Sequence, residues 1–266
     1  MFSMDLDIQK IVKAAEAGGE ILRQYFGRAL DQTQKSAAYD FLTEADLASE
    51  KTIVEILSAE FPDFNIMAEE QGLRDKKSAY TFVVDPLDGT YNFVLGYPNF
   101  SVSIGLFKDN FSLAGAIHAP MVKQTFFAEK GRGAFSDGTR LRVSTEKDIS
   151  RANVAFGISY AGNADKKSIY EFLGSLNCQR AFFNWSPAYD FCLLASGKIE
   201  GFVSNNLDAL HDYAAAKVIC REAGAIITDF AGHAETDERN SYFVASNCLE
   251  LHEYLLAKVR NLSAPA

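Results

Sequence analysis

Apolar residues recur at helical spacing between residues 5 and 26, at Ile8, Ile11, Val12, Ala15, Leu22 and Phe26, and predict an amphipathic helix. The Gly18-Gly19 pair within it weakens a helix and therefore predicts close packing or a kink. Residues 28–39 lose the pattern and read as a polar, irregular, mobile loop. A second helix follows, running to about Phe61, with Thr43 as its N-cap and Asp46 three residues on in a capping-box relation. Pro62 closes it, and Phe64–Ala68 reads as a short strand ending at Glu69-Glu70. The apolar run Tyr80–Val84 predicts a buried strand that stops at Asp85, because Pro86 cannot continue a central strand. Phe100–Phe107, Ser112–His118 and Gln124–Glu129 predict successive strands of an antiparallel sheet, and Asp137-Gly138 a hairpin turn. Gly131-Arg132-Gly133 lacks the G-x-G-x-x-G spacing and joins strand to strand, so it reads as a bulged turn.

A second half begins near Ser144. Strands are expected at Val154–Ile158, Ala181–Phe183, Gly201–Ser204, Ile226–Thr228 and Tyr242–Ala245. Helices are expected near Lys167–Leu176, at Pro187–Ala195 with Gly197 as C-cap, from Asp212 to Gly224, and at Leu249–Val259. Strands and helices alternate in blocks without an internal repeat, which favours an α/β fold of layered sheets with helices between them.

Composition narrows the class. The 266 residues carry 48% hydrophobic and 23% charged residues, enough for a substantial core in one large domain or two joined halves. No run approaches the roughly 18 apolar residues of a membrane span, and the acidic first 25 residues do not look like a signal peptide. Cys178, Cys192, Cys220 and Cys248 stand singly, as reduced thiols of a cytoplasmic protein would. A net charge of −9 argues against direct nucleic-acid binding. It leaves room for a small anionic substrate if bound cations supply the attraction.

Candidate chemistry gathers where acids end elements. In Val83-Val84-Asp85-Pro86-Leu87-Asp88-Gly89-Thr90-Tyr91-Asn92-Phe93, two carboxylates three residues apart flank the Leu87 carbonyl. These are hard oxygen ligands of the kind Mg2+ prefers. Gly89 permits a tight turn, and Thr90 and Asn92 suit the first turn of a helix, whose free N–H groups attract phosphate. Asp40, Glu69 and Asp212 place further acids at element ends, although Asp212 also suits a helix N-terminus on charge alone.

As a set, Asp40-Phe-Leu-Thr-Glu-Ala-Asp46, Ala68-Glu-Glu70, Val84 to Phe93, and Asp212-Tyr-Ala-Ala-Ala216 with Glu222-Ala-Gly224 resemble the inositol monophosphatase family of Mg2+-dependent, commonly lithium-sensitive phosphatases. The resemblance spans nearly the whole chain. It implies an αβαβα sandwich of the sugar-phosphatase type, as one domain over residues 1–266. Residues 1–143 would supply most metal ligands, and residues 144–266 Asp212 and the substrate pocket. It further implies two or three Mg2+ ions per subunit: one on Glu69, Asp85 and the Leu87 carbonyl, a second on Asp85, Asp88 and Asp212, and a weaker third on Glu69 and water. Thr90 paired with Asp40 would orient the attacking water, with Glu69 beside it. Gly89 and Thr90 would hold the phosphate, with Asp88 and Asp212 at the substrate. The chain departs from the family near the substrate, with Trp185-Ser186-Pro187-Ala188 where Gly-Ser-Ala-Ala is common, His211 before Asp212 where Trp is usual, and Asn205-Asn206 where a glutamate contacts the polyol. Trp185, Asn205 and His211 are therefore candidate substrate contacts, and Trp185 is equally suited to fill a core or a dimer interface.

The implied activity is hydrolysis of a phosphomonoester of a polyol or sugar, inositol 1-phosphate first, by a cytoplasmic homodimer. Fructose 1,6-bisphosphate, histidinol phosphate and 3′-phosphoadenosine 5′-phosphate are the rival substrates. Binding to the transcription machinery is the alternative from a different class.

Overall fold

The computed structural model describes residues 6–28, 32–34, 41–157, 166–205 and 210–259. Its helices are α1 (Ile8–Tyr25), α2 (Glu44–Glu60), α3 (Thr90–Leu95), α4 (Lys166–Ser175), α5 (Pro187–Ala195), α6 (Leu210–Ala223) and α7 (Leu249–Val259). The strands of the first half are β1 (Gln32–Gln34), β2 (Phe41–Thr43), β3 (Asn65–Ala68), β4 (Gly72–Arg74), β5 (Tyr80–Asp88), β6 (Ser101–Lys108), β7 (Phe111–Ala119), β8 (Gln124–Glu129), β9 (Gly133–Ser136) and β10 (Thr139–Arg140). Those of the second half are β11 (Asn153–Gly157), β12 (Arg180–Phe182), β13 (Gly201–Asn205), β14 (Ile226–Thr228) and β15 (Tyr242–Ser246).

An eight-stranded sheet runs β10-β9-β8-β7-β6-β5-β3-β4, and a five-stranded sheet runs β12-β11-β13-β15-β14. Helices α1 and α2 pack on the outer face of the large sheet, sealing Ile11, Leu22, Ile53 and Leu57 against Phe82, Val84, Val102 and Ile104. Helices α5 and α6 lie between the sheets, where Phe191, Tyr213 and Ile219 join Ile117 and Phe126 on one side to Phe202 and Phe243 on the other. Helices α4 and α7 cover the outer face of the small sheet through Phe172, Leu251 and Leu255. The result is the alternating helix–sheet–helix–sheet–helix sandwich expected.

Several local expectations change. Helix α1 passes through Gly18-Gly19 as one helix, and their missing side chains make room for close packing. A Cβ on Gly18 would lie 2.7 Å from Ile53, and one on Gly19 2.3 Å from His118. Strand β5 does not stop at Asp85. It continues to Asp88 through a register break between Asp85 and Asp88, so Pro86 sits where the ladder requires no N–H. Its carbonyl is held instead by the Ser49 hydroxyl of α2, 3.0 Å away. Within the expected loop at 28–39, Gln32–Gln34 pairs antiparallel with Phe41–Thr43, and the remainder of that loop from 35 onward lies outside the described residues. Ile158 and Asn206 also lie outside them.

Helix α6, which carries Asp212, is seated by two glycines. Gly105 on β6 and Gly115 on β7 are direct partners in the ladder and together form a flat shelf. A Cβ on Gly105 would come within 2.6 Å of the Ala214 carbonyl carbon, and one on Gly115 within 2.7 Å of the Ala215 Cα. Farther along α6, fully buried Lys217 places Nζ 2.6 Å from Glu235, 3.0 Å from the Glu238 carbonyl and 2.6 Å from the Asn240 carbonyl. Arg221 shares Glu235 at 2.6 Å, and Glu238 in turn accepts from Ser112 of β7. Helix α6 is thus fixed to the large sheet at both ends. Replacing Gly105 by alanine should cost about 1–3 kcal/mol through forced overpacking, a loss of several degrees in Tm. It should also raise the metal concentration needed for activity by lifting Asp212; an unchanged melting curve would refute the shelf.

Candidate metal and phosphate site

The register of the large sheet assembles the first three acids. Strand β3 runs parallel to β5 with Ala68 opposite Val84, and the Glu69 N–H donates to the Val84 carbonyl at 3.1 Å, which brings Glu69 level with Asp85. The turn after Glu69 is clamped by Glu50 of α2, fully buried, whose carboxylate accepts from the N–H groups of Glu70 at 2.7 Å and Gln71 at 3.0 Å. Burial and the nearby Glu69 raise the Glu50 carboxyl above its ordinary range. Glu50 was not singled out from sequence, where it is one more acid on a helix.

Asp85 and Asp88 are both buried. Asp85 Oδ1 accepts the Leu87 N–H at 2.9 Å, closing the turn over Pro86. Asp88 uses one oxygen for support: Oδ2 accepts from Ser101 at 2.8 Å, Ser186 at 2.6 Å and the Tyr189 N–H at 3.4 Å. Its Oδ1 is buried with no hydrogen-bond partner. Asp212, in the first turn of α6, completes the group, and one oxygen from each of Asp85, Asp88 and Asp212 lies within 4.8 Å of the others.

The electrostatics ask for a cation. Burial first, then Glu69, Asp212 and Asp88, push the Asp85 carboxyl well up. Burial, Asp88 and Glu69 do the same to Asp212, against a hydrogen bond from Asp85. Asp88 is raised to about 6 by burial, opposed by its serine donors. Like charges this close share protons unless a divalent ion replaces them. The unpartnered Asp88 oxygen and the all-oxygen donor set fit a hard cation such as Mg2+.

Beside the acids, Gly89 turns the chain at φ +91° and caps α3. A Cβ there would meet the Asn99 carbonyl at 3.0 Å and the Trp185 carbonyl at 3.1 Å, so glycine is required twice over. The Thr90 hydroxyl faces two acceptors, the Leu87 carbonyl at 2.9 Å and Asp46 Oδ1 at 3.4 Å. Asp40, expected to pair with Thr90, lies outside the described residues. Among the described residues, the carboxylate hydrogen-bonded to Thr90 is Asp46, whose other oxygen caps α2 through the Thr43 hydroxyl at 2.5 Å and the Thr43 N–H at 2.9 Å. Asp46 does both jobs, and the cap is the one legible in sequence.

Trp185 sits at φ +56° with its side chain partly exposed. Asn205 ends β13, half-buried, with Oδ1 lacking a partner, and His211 precedes Asp212 with its carbonyl accepting from Ser103 at 3.3 Å. The Gly131-Arg132-Gly133 turn binds an anion of its own: Gly131 and Gly133 each donate an N–H to Glu222 at 2.7 Å. That contact explains Glu222 as an anchor for the end of α6.

The profile of the inositol monophosphatase family matches residues 5–264. The chain belongs to this family. Among inositol monophosphatase relatives, the Nus factor SuhB of Haemophilus influenzae is 32% identical over 259 residues, covering 96% of this chain and 94% of that protein. The fructose-1,6-bisphosphatase/inositol-1-monophosphatase of Aquifex aeolicus is 33% identical over 232 residues, 84% of each chain. The solved structure of the Thermotoga maritima IMPase superposes with a TM-score of 0.84 at 30% identity, covering 94% of this chain and 95% of that one. Among the described residues no helix is long and apolar enough to cross a membrane.

Proposed function

We propose that the protein is a Mg2+-dependent hydrolase of phosphomonoesters of small polyols or sugars, with inositol 1-phosphate the first-choice substrate. The observation that carries this reading is the unpartnered Asp88 oxygen between buried Asp85 and half-buried Asp212, one residue before the Gly89 turn. Glu69, Asp85, the Leu87 carbonyl, Asp88 and Asp212 would hold two or three ions; Asp85 lies between the sets. When bound, the ions neutralise the phosphate and make a water molecule acidic enough to attack phosphorus.

The chain supplies position and proton transfer. Glu69 and Thr90 flank the attacking water, whose proton passes to the Thr90 hydroxyl as that hydroxyl gives its own to a carboxylate, Asp40 by the family resemblance or Asp46, 3.4 Å away. The N–H groups of Gly89 and Thr90, at the open end of α3, hold phosphate oxygens. Asp88 and Asp212 at the site and Trp185, Asn205 and His211 around it contact the leaving group. The family resemblance implies no covalent phosphoenzyme, so attack is read as direct and in line. The two halves act as one domain, residues 1–143 giving most ligands and residues 144–266 giving Asp212. A cytoplasmic setting is supported by four free cysteines. A homodimer is supported by exposed Tyr97, Met121 and Val122, which line one groove. Lithium inhibition follows from the family resemblance.

Replacing Thr90 by valine, nearly its isostere, should lower kcat about 10²–10⁴-fold while leaving the metal-induced rise in Tm intact. A kcat within twofold of wild type would remove Thr90 and Asp46 from the proton path. The reading as a whole is tested by phosphate release with Mg2+ from inositol 1-phosphate, fructose 1,6-bisphosphate, histidinol phosphate and 3′-phosphoadenosine 5′-phosphate, each with an EDTA control. Metal-dependent release led by inositol 1-phosphate is the expected result, and release led by another member overturns the substrate.

A second reading, binding to the transcription machinery, is favoured by the name Nus factor carried by the Haemophilus influenzae relative. It is tested with the Asp212→Asn variant. A transcription component captured equally by that inactive protein supports a role separate from hydrolysis, and failure to capture one from either form removes it.

A further inference from the structure

Trp185, read above as a contact of the leaving group, belongs to a wall of rings whose other members the chemistry above does not use. Trp185 adopts φ +56°, a left-handed conformation that suits glycine and strains a bulky residue. The backbone cannot relax freely, because the Trp185 carbonyl packs on Gly89 and the next residue, Ser186, donates to Asp88 at 2.6 Å. The indole is not in a core: it is 36% exposed, which removes core filling as the reason for the strain. Its ring meets Tyr91 edge-on at 5.7 Å and Phe183 at 5.7 Å, and Phe183 meets Tyr170 of α4 at 6.3 Å. Tyr170 is 61% exposed. The rings therefore run outward from the residue that follows Thr90 to the open surface of α4.

The wall begins beside the phosphate site, with the Trp185 carbonyl against Gly89 and Tyr91 following Thr90, so the leaving group of a bound phosphomonoester is within its reach. A flat ring gains stacking from such a surface, whereas a polyol carrying hydroxyls on both faces gains less. We propose that Trp185, with Tyr91, Phe183 and Tyr170, forms a stacking wall that admits, beside polyol and sugar esters, phosphomonoesters whose leaving group carries a planar ring, nucleoside monophosphates being the chemical class. The inference rests on the phosphomonoesterase reading and extends its substrate range. The reaction is the same hydrolysis: the oxygen of water bonds to phosphorus, the bond from phosphorus to the nucleoside oxygen breaks, and that oxygen leaves with a proton from the water.

The test compares kcat/KM for adenosine 5′-monophosphate and glycerol 2-phosphate in the Mg2+-loaded protein, in Trp185→Gly and in Tyr170→Ala. Glycine suits the backbone at 185, so that variant retains the fold. The ratio of the two values should fall about tenfold in Trp185→Gly, through the KM for the nucleotide, and about two- to threefold in Tyr170→Ala, at the outer end of the wall. Trp185 is the only tryptophan. With Ca2+ replacing Mg2+, its fluorescence should be quenched saturably by the nucleotide and left unchanged by glycerol 2-phosphate. Release from both substrates with a ratio unmoved in Trp185→Gly would overturn the wall. So would indole burial that follows protein concentration in place of nucleotide, which would assign the rings to a second copy of the chain. Release from neither substrate at any Mg2+ concentration would overturn the phosphomonoesterase reading, and this inference with it.

Discussion

Asp85→Asn is expected to reduce metal-dependent phosphate release by at least about a thousandfold, a loss of about 4 kcal/mol in transition-state stabilisation. Asparagine keeps the shape and can still accept the Leu87 N–H that Asp85 accepts at 2.9 Å, so the turn over Pro86 survives. What disappears is the charge at the centre of the cluster, flanked by Glu69, Asp88 and Asp212. The same substitution should make the metal-free protein more stable, because one member of a buried, mutually repelling set is gone. Activity and stability therefore move in opposite directions, and the rise in Tm on adding Mg2+ should largely vanish. A variant that loses activity and also melts early without metal would point to a structural role for Asp85.

The second large effect is the dependence of wild-type stability on pH and metal. A carboxyl whose pKa is raised on folding stabilises the protein fully below its unfolded value of about 3.9 and loses that contribution as pH rises through the folded value. Asp88, raised to about 6 by burial, and Asp190, raised to about 7 by burial, set the window. Metal-free protein should lose stability between roughly pH 4 and 7. Saturation with Mg2+ at 100 times its Kd should return about 2.7 kcal/mol, worth roughly 5–10 °C in Tm at 2–4 °C per kcal/mol, and binding near pH 6 should release protons. Asp190, whose carboxylate accepts from Asn184 at 2.8 Å, stands outside the metal set, so its part of the decline should persist with Mg2+. His252 has the opposite sign. Burial lowers it to about 4 while its ring nitrogens lie 2.8 Å from Thr228 and 2.9 Å from Ser246. Its contribution is present above its unfolded value of about 6.5 and is lost as pH falls through about 4. Thermal melts with EDTA and with Mg2+ across pH 3–9 measure both limbs, and a metal-free Tm that rises from about pH 4 to 7 would contradict the raised values of these acids.

The layered fold was legible because its helices and strands carry clean periodicities; Asp85, Asp88 and Asp212, each of which also suits a turn or a helix start, were legible only as a set that resembles the family's motifs. What stayed hidden depended on contacts far apart in sequence. Asp46 reads as a cap, and the cap is real; its second bond, to Thr90, spans 44 residues. Pro86 reads as a strand terminator, because the bulge that accommodates it is fixed by pairing with β6 and by Ser49. Gly105 and Gly115 carried a signal, since glycine within a strand often marks a close backbone approach, but the helix that approaches is more than ninety residues away. Trp185 was visible as a departure from the Gly-Ser-Ala-Ala pattern, and its positive φ is one that suits glycine.

The most direct test of the metal-centred account is phosphate release from inositol 1-phosphate by protein stripped with EDTA, followed as Mg2+ is added back. The account predicts no release without metal and a saturable return of activity, with Asp85→Asn flat throughout. Release that survives stripping, or none at any Mg2+ concentration from protein shown to be folded, would contradict it.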